Sequence, residues 1–286
     1  MTSGLDMPTS TPSGVTDGDP EGVRTTPWHR RIDWGKWFTW GVLAWLFTPI
    51  TFMIAFSFND IQGRHNVTWE GFTLKWYGQA FDHADLTQAL LYTLAIGVLT
   101  MVIAGTIGSL LGLALGRHRF RGQGTTNLVM FAAICAPEVV LGAALLSLFL
   151  LVGIATGFLA ILLAHVMFTI SFVAITVRAR VITLDPNLEE AARDLGAGPW
   201  TTFRLVTLPM LLPAIMAGGL LAFALSIDDY IITSFVAGDV TTFPLWIWGA
   251  TRVGIPPQVN VMGTLILAVG VALAVINVIM AKRRRS

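Results

Sequence analysis

The stretch LTQALLYTLAIGVLTMVIAGTIGSLLGLALG, residues 86–116, runs for 31 positions without Asp, Glu, Lys, Arg or His. An ionised side chain at the centre of a bilayer costs about 2.5 to 3.5 kcal/mol on insertion scales, so intervals of this kind mark membrane spans. Others run over 37–59, 205–227 and 253–281, and 122–177 is broken among Asp, Glu, Lys and Arg only by Glu138. The last is too long for one helix, and Gly153–Gly157 divides it into antiparallel neighbours. Six spans follow, over about 37–59, 87–116, 126–151, 156–177, 205–227 and 258–281. The fold class is all-α, a polytopic membrane protein with six transmembrane helices.

Composition agrees. With 54% hydrophobic and 12% charged residues, and mean hydropathy +0.70, a water-facing exterior is excluded for most of the surface. The lone Cys135 leaves no intramolecular disulfide and no cysteine-rich metal site. No cofactor and no metal are expected.

Sidedness comes from the placement of charge. Fifteen of the 18 Lys and Arg residues fall before the first span, in the 117–121 turn, in the 178–204 loop or at 282–285; only Arg64, Lys75 and Arg252 fall in the alternate loops. Basic residues near span ends stay in the cytoplasm, which places both termini and 178–204 inside, and 60–85 and 228–258 outside. Residues 1–30 read as a disordered tail, since the first 27 carry five strongly apolar residues among Thr, Ser, Gly, Pro and Asp. Residues 31–286 form the membrane domain, and its first span is too long for a signal-peptide core.

The outer loops carry aromatic-belt patterns: Trp69, Phe72, Trp76, Tyr77 and Phe81 in a short interfacial helix that Thr73 caps, and Trp246 and Trp248 behind Pro244. Arg117, Arg119, Arg121 and Lys282–Arg285 fit attraction to anionic lipid, not nucleic acid.

The cytoplasmic segment LDPNLEEAARDLGAGPWTTFRLVTLPMLLPAIMAGG, residues 184–219, holds more structure than a linker requires. Asp185 suits an N-cap and Pro186 the first helical position. Leu184, Leu188, Ala191, Ala192 and Leu195 then share one face, with Glu189, Glu190, Arg193 and Asp194 on the other. Gly196 ends this helix and Pro199 opens a second piece, so that two helices meet at a glycine corner. Pro209 and Pro213 predict a local break at the start of the fifth span. The small Ala191 and Ala192 suit close approach of another surface; packing of the helix on its own bundle is the alternative.

These residues resemble the inner-membrane permease subunits of ATP-binding-cassette importers that use an external binding protein. The family's cytoplasmic signature, Glu-Ala-Ala, three residues, Gly, nine residues, Ile-x-Leu-Pro, reads here as Glu190-Ala191-Ala192, Gly196 and Val206-Thr207-Leu208-Pro209. Within that family the chain is similar to the second permeases of spermidine and putrescine importers, through SFN at 57–59, GFTLKWY at 71–77, RFRG at 119–122, LDPNLEEAARDLGA at 184–197, LSIDDYIITSF at 225–235 and PPQVN at 256–260. The resemblance implies a type I importer permease (MetI-like) fold in a plasma or inner membrane. It implies as partners a dimer of cytoplasmic ABC ATPases, a second permease subunit in a heterodimer, an extracytoplasmic solute-binding protein and a small cationic solute, with polyamine the favoured cargo. Another small solute remains the alternative. It further implies that Glu189, Glu190, Ala191, Ala192, Gly196, Leu208 and Pro209 couple the chain to the ATPase, rocking the spans between two access states.

For the translocation path the candidates are Glu138, Asp228 and Asp229. Glu138 is the one acidic residue well inside a span and must face a cavity, a partner helix or a span end. Asp228 and Asp229, at the outer end of span five, fit attraction of a polycation and equally a hydrogen-bonding role at a helix end. His165 reads as an interhelical hydrogen bonder. No GxxxxGK[ST] run cradles phosphate, and HExxH and GxSxG are missing, so ATP hydrolysis belongs to another polypeptide and an intramembrane hydrolase finds no support. A secondary transporter or channel is the remaining rival class.

Overall fold

The computed structural model describes residues 34–61, 66, 68–185 and 187–283. The tail at 1–30, Arg64, Pro186, Arg284 and Arg285 lie outside the described residues. The chain divides into two compact units, Met1–Pro49 and Ile50–Ser286. In the first, helix α1 (Trp34–Phe56, running on into the second unit) turns Trp37, Trp40 and Trp45 outward, as a lipid-facing helix near an interface does.

Among its described residues the regular structure of the second unit is helical apart from one isolated antiparallel bridge between Asn59 and Phe72. After the single turn α2 (Lys75–Gly78) come α3 (Ala84–Arg117), α4 (Gln123–Cys135), α5 (Glu138–Val152), α6 (Phe158–Thr183) and α7 (Asn187–Asp194). Then follow α8 (Pro199–Thr202), a π segment (Phe203–Thr207), α9 (Leu208–Asp228), α10 (Ile231–Val236), α11 (Phe243–Ala250) and α12 (Pro257–Arg283). Among the described residues four helices are individually long and apolar enough to cross a membrane: α1, α3, α6 and the continuous Pro199–Asp228 rod. The apolar pair α4 and α5 passes the same length and composition test only when taken together, and α12 is apolar over the shorter stretch Pro257–Ala272.

Three departures from the sequence expectation have local causes. The third span is two helices meeting at 112°. Pro137 has no N–H to give and pushes Ala136 into extended backbone (φ −66°, ψ 132°), so the helix stops and restarts at Glu138. The fourth helix runs on to Thr183 rather than 177, and helix resumes at Pro199, which shortens the connection between them. At Pro209 the expected break is absorbed by a widened turn, with the Leu208 N–H bonding the Phe203 carbonyl, and the rod stays continuous.

The core lies around α6, which packs along α3 and α9. Contact between α3 and α6 is close enough to require glycine: a Cβ on Gly112 would stand 2.5 Å from the Ala174 carbonyl oxygen. A second cluster lies where α5, α6 and α10 enclose Leu145, Phe149, Ile161, Ile232 and Val236. The loop between α1 and α3 is organised by the fully buried Asn59, whose Nδ2 donates to the Thr68 carbonyl (2.6 Å) and whose Oδ1 accepts from the Glu70 N–H (2.8 Å). Trp76 Nε1 donates to its carbonyl (2.8 Å). Thr73 Oγ1 accepts the Lys75 N–H at 3.2 Å, at the start of a helix much shorter than the aromatic pattern suggested.

Candidate functional site

At the corner between α6 and α9, which carries α7 and α8, local rules set the geometry. Asp185 Oδ1 accepts the Asn187 N–H at 3.0 Å, opening α7. Gly196, at φ +85°, ends it: its N–H bonds the Arg193 carbonyl (2.8 Å) and the Ala197 N–H bonds the Ala192 carbonyl (3.0 Å), the glycine-terminated pattern that satisfies the last free carbonyls. Pro199 then sits in the first turn of α8.

The corner exposes apolar side chains beside the exposed Glu190, Arg193 and Asp194. Leu195 is 90% exposed, Trp200 71% and Leu205 67%, with Leu188 and Ala191 also open. Apolar surface of this kind projecting from a loop between spans fits a protein contact.

The two glutamates of α7 have different surroundings, contrary to the shared polar face expected for them. Glu190 is exposed. Glu189 turns inward, where its Oε1 accepts from Arg117 Nη2 at 3.1 Å and from Thr207 Oγ1 at 3.0 Å. Leu208 and Pro209 also differ: Pro209 is exposed, whereas Leu208 lines a cavity of about 410 Å³ between α3 and α9, beside Gly105, Ser109, Leu211 and Gly219. Leu184 is buried, at the end of α6 rather than on α7.

At the opposite end of α9, a polar network crosses the α6–α9 packing. His165, 1% exposed, places Nδ1 2.7 Å from Ser226 Oγ, and Nε2 2.9 Å from Thr233 Oγ1 and 3.2 Å from Asp229 Oδ2. Asp229 Oδ2 also accepts from the Thr233 N–H and hydroxyl, each at 2.7 Å, and its Oδ1 from the Ile232 N–H at 3.3 Å. A proton on Nε2 serves the carboxylate side and leaves Nδ1 to accept from Ser226. Asp229 thus accepts hydrogen bonds from the first turn of α10.

Asp228 is exposed and borders a cavity of about 560 Å³ with Tyr230, Phe243, Ile247, Trp248 and Gly263. A carboxylate beside aromatic rings suits an ammonium group. Glu138 is exposed in the first turn of α5, where the helix dipole favours its charge, and has no hydrogen bond or ion pair among the described residues. It does not join the His165 network. Among the described residues no group of three or more His, Cys, Asp and Glu is placed to hold a metal.

Sequence reasoning missed Arg117 and Thr207 as partners of Glu189, and Ser226 and Thr233 as partners of His165. These hydroxyls and the arginine carry no local signal for pairings across 18 to 72 residues.

Comparison with known proteins adds the following. Residues 108–285 match the family model described as binding-protein-dependent transport system inner membrane component. The chain is 36% identical over 247 residues to the spermidine/putrescine transport system permease protein PotC of Haemophilus influenzae, covering 86% of this chain and 95% of that protein. It is 37% identical over 246 residues to PotC of Escherichia coli (86% and 92% covered), and 37% identical over 237 residues to that organism's putrescine transport system permease protein PotI (80% and 84% covered). The fold is similar to a chain of a bacterial ABC transporter involved in the import of the acidic polysaccharide alginate, with TM-score 0.60, 19% identity, and 90% and 99% of the two chains covered.

Proposed function

This chain belongs to the family of binding-protein-dependent transport system inner membrane components, and on that footing we propose that it is the permease subunit of an ATP-driven importer of polyamines. The cargo reading is supported by the 36–37% identity, across most of the chain, to permeases named for spermidine and putrescine. The coupling reading rests on one observation: α7 and α8 meet at Gly196 and leave an apolar surface, with Leu195 90% exposed, on the side that the charge bias assigns to the cytoplasm.

In this reading both termini are cytoplasmic. A dimer of ABC ATPases grips the α7 corner through Glu190, Ala191, Ala192 and Leu195, and a second, non-identical permease completes the pathway. A secreted binding protein delivers cargo to the outer face, and this chain itself performs no chemistry. Closure of the ATPases carries α7 with it, and the continuous Pro199–Asp228 rod conveys that motion across the membrane as a rigid body. At the other end of the rod Asp228 meets the cationic cargo at the aromatic cavity. Glu138, at the bend between α4 and α5, is a second cargo contact.

The test is reconstitution in proteoliposomes. Chain, ATPase, second permease and binding protein together are expected to take up labelled putrescine and spermidine only with ATP. Uptake by the chain alone down a gradient would assign it to channels or secondary transporters instead.

A further inference from the structure

We infer that Glu189 is a positioning residue that latches the coupling helix to the membrane bundle, and that it does not contact the ATPase. The inference rests on the transport reading above and assigns one of its residues a different task.

The geometry is specific. α7 is attached to the chain through two joints: the short connection after Leu184 on one side, and Gly196, Ala197 and Gly198 on the other. Eight residues between such joints can swivel when pushed without moving what lies behind them. A single carboxylate oxygen closes both gaps. Glu189 Oε1 reaches Arg117, the last residue of α3, and Thr207, the last residue of the π segment, and the Arg117 and Glu189 side chains are only 16% and 19% exposed. A charge-assisted bond shielded from water holds its geometry better than an exposed one.

What it latches to is stiff. The α3 end is pressed on α6, where a Cβ at Gly116 would lie 2.6 Å from Val181 Cγ1. Gln123 Nε2 donates to the Leu115 carbonyl at 3.0 Å, and Arg178 Nη1 donates to Asn127 Oδ1 at 2.7 Å, tying α4 to α3 and to α6. Among the described residues Arg117 Nε is buried without a hydrogen-bond partner, and the carboxylate that compensates the guanidinium is that of Glu189. A push on α7 therefore reaches α3 and α6 through Arg117, and α9 through Thr207, at the same moment.

The experiment uses the full reconstituted complex and records putrescine uptake and ATP hydrolysis in the same vesicles. E189A is expected to keep hydrolysing ATP while uptake per ATP falls about fivefold or more, the lower end of coupling between distant sites. The exchange R117E/E189R is expected to recover most of that ratio, and E189Q, which keeps an acceptor for Thr207 and loses the charge, to lie between. A role confined to folding would lower the yield of complex and both rates together, leaving the ratio as in wild type, and would overturn the latch. So would an exchange variant no better than either single variant. If E189A does not assemble, the ratio is read on E189Q, where a wild-type value overturns the proposal. Wild-type vesicles without ATP-driven uptake would instead refute the transport reading and the latch with it.

Discussion

Asp228 and Asp229 are neighbours in the chain with opposite environments: the first is exposed beside Tyr230 and Trp248, the second is buried against His165 at 3.2 Å. Helix α9 ends between them, and the turn that follows sends one carboxylate to water and the other into the packing of α6. Asp229→Ala would leave His165 and the Ile232 and Thr233 N–H groups without their acceptor. Bonds to a charged group contribute about 1.5 to 3 kcal/mol each, so this variant is expected to melt well below wild type in detergent. Asp228→Asn is expected to melt as wild type while the KM for putrescine uptake rises several-fold. Equal melting of the two variants would contradict the division of roles.

Gly196 occupies left-handed backbone, and a Cβ there would meet nothing within 4 Å. Gly196→Val should therefore act through backbone strain alone, about 1 to 2 kcal/mol, and Gly196→Asn should be milder. Because the strain falls on the α7–α8 corner, ATP-driven uptake is expected to fall more than the yield of folded chain, as read by uptake normalised to protein in the membrane.

Gly112 presents the reverse case. A side chain there collides with the Ala174 carbonyl, 2.5 Å away, and with the Arg178 N, 3.0 Å away. Gly112→Val should lower stability by about 1 to 3 kcal/mol through overpacking, visible as aggregation on size-exclusion chromatography. Gly124→Ala, with open space around its Cβ, is expected to behave as wild type.

Asn59 holds Asn66, Thr68 and Glu70 with its side chain and Trp76 with its carbonyl. Asn59→Ala should release this loop while leaving the spans intact. Protease added outside intact spheroplasts is expected to cut near 66–72 several-fold faster than in wild type. Cutting seen only when the protease is inside would place the loop in the cytoplasm and reverse the sidedness argued from charge.

Much of the architecture was legible because it follows short-range rules. The absence of charge over 86–116 marks α3, and Asp185 and Gly196 bound a helix through the backbone groups they satisfy or release. Other features depend on what lies across the bundle. Whether Pro209 breaks its helix or widens one turn is set by the packing around it, and the inward turn of Glu189 required Arg117, 72 residues away. Helical periodicity placed Glu189 beside Glu190 on a polar face and carried no information about which would be covered. The buried position of Asp229 was equally invisible, since its partners come from α6 and α10.

The bend at Pro137 also constrains how the protein is made. Helices of 13 and 15 residues reach about 20 Å each, short of the roughly 30 Å of hydrocarbon. Neither half can be released into lipid as a finished unit, because the backbone groups freed at the bend would lack partners there. Stable insertion of this segment is therefore expected to depend on α6 and α10, against which α5 packs.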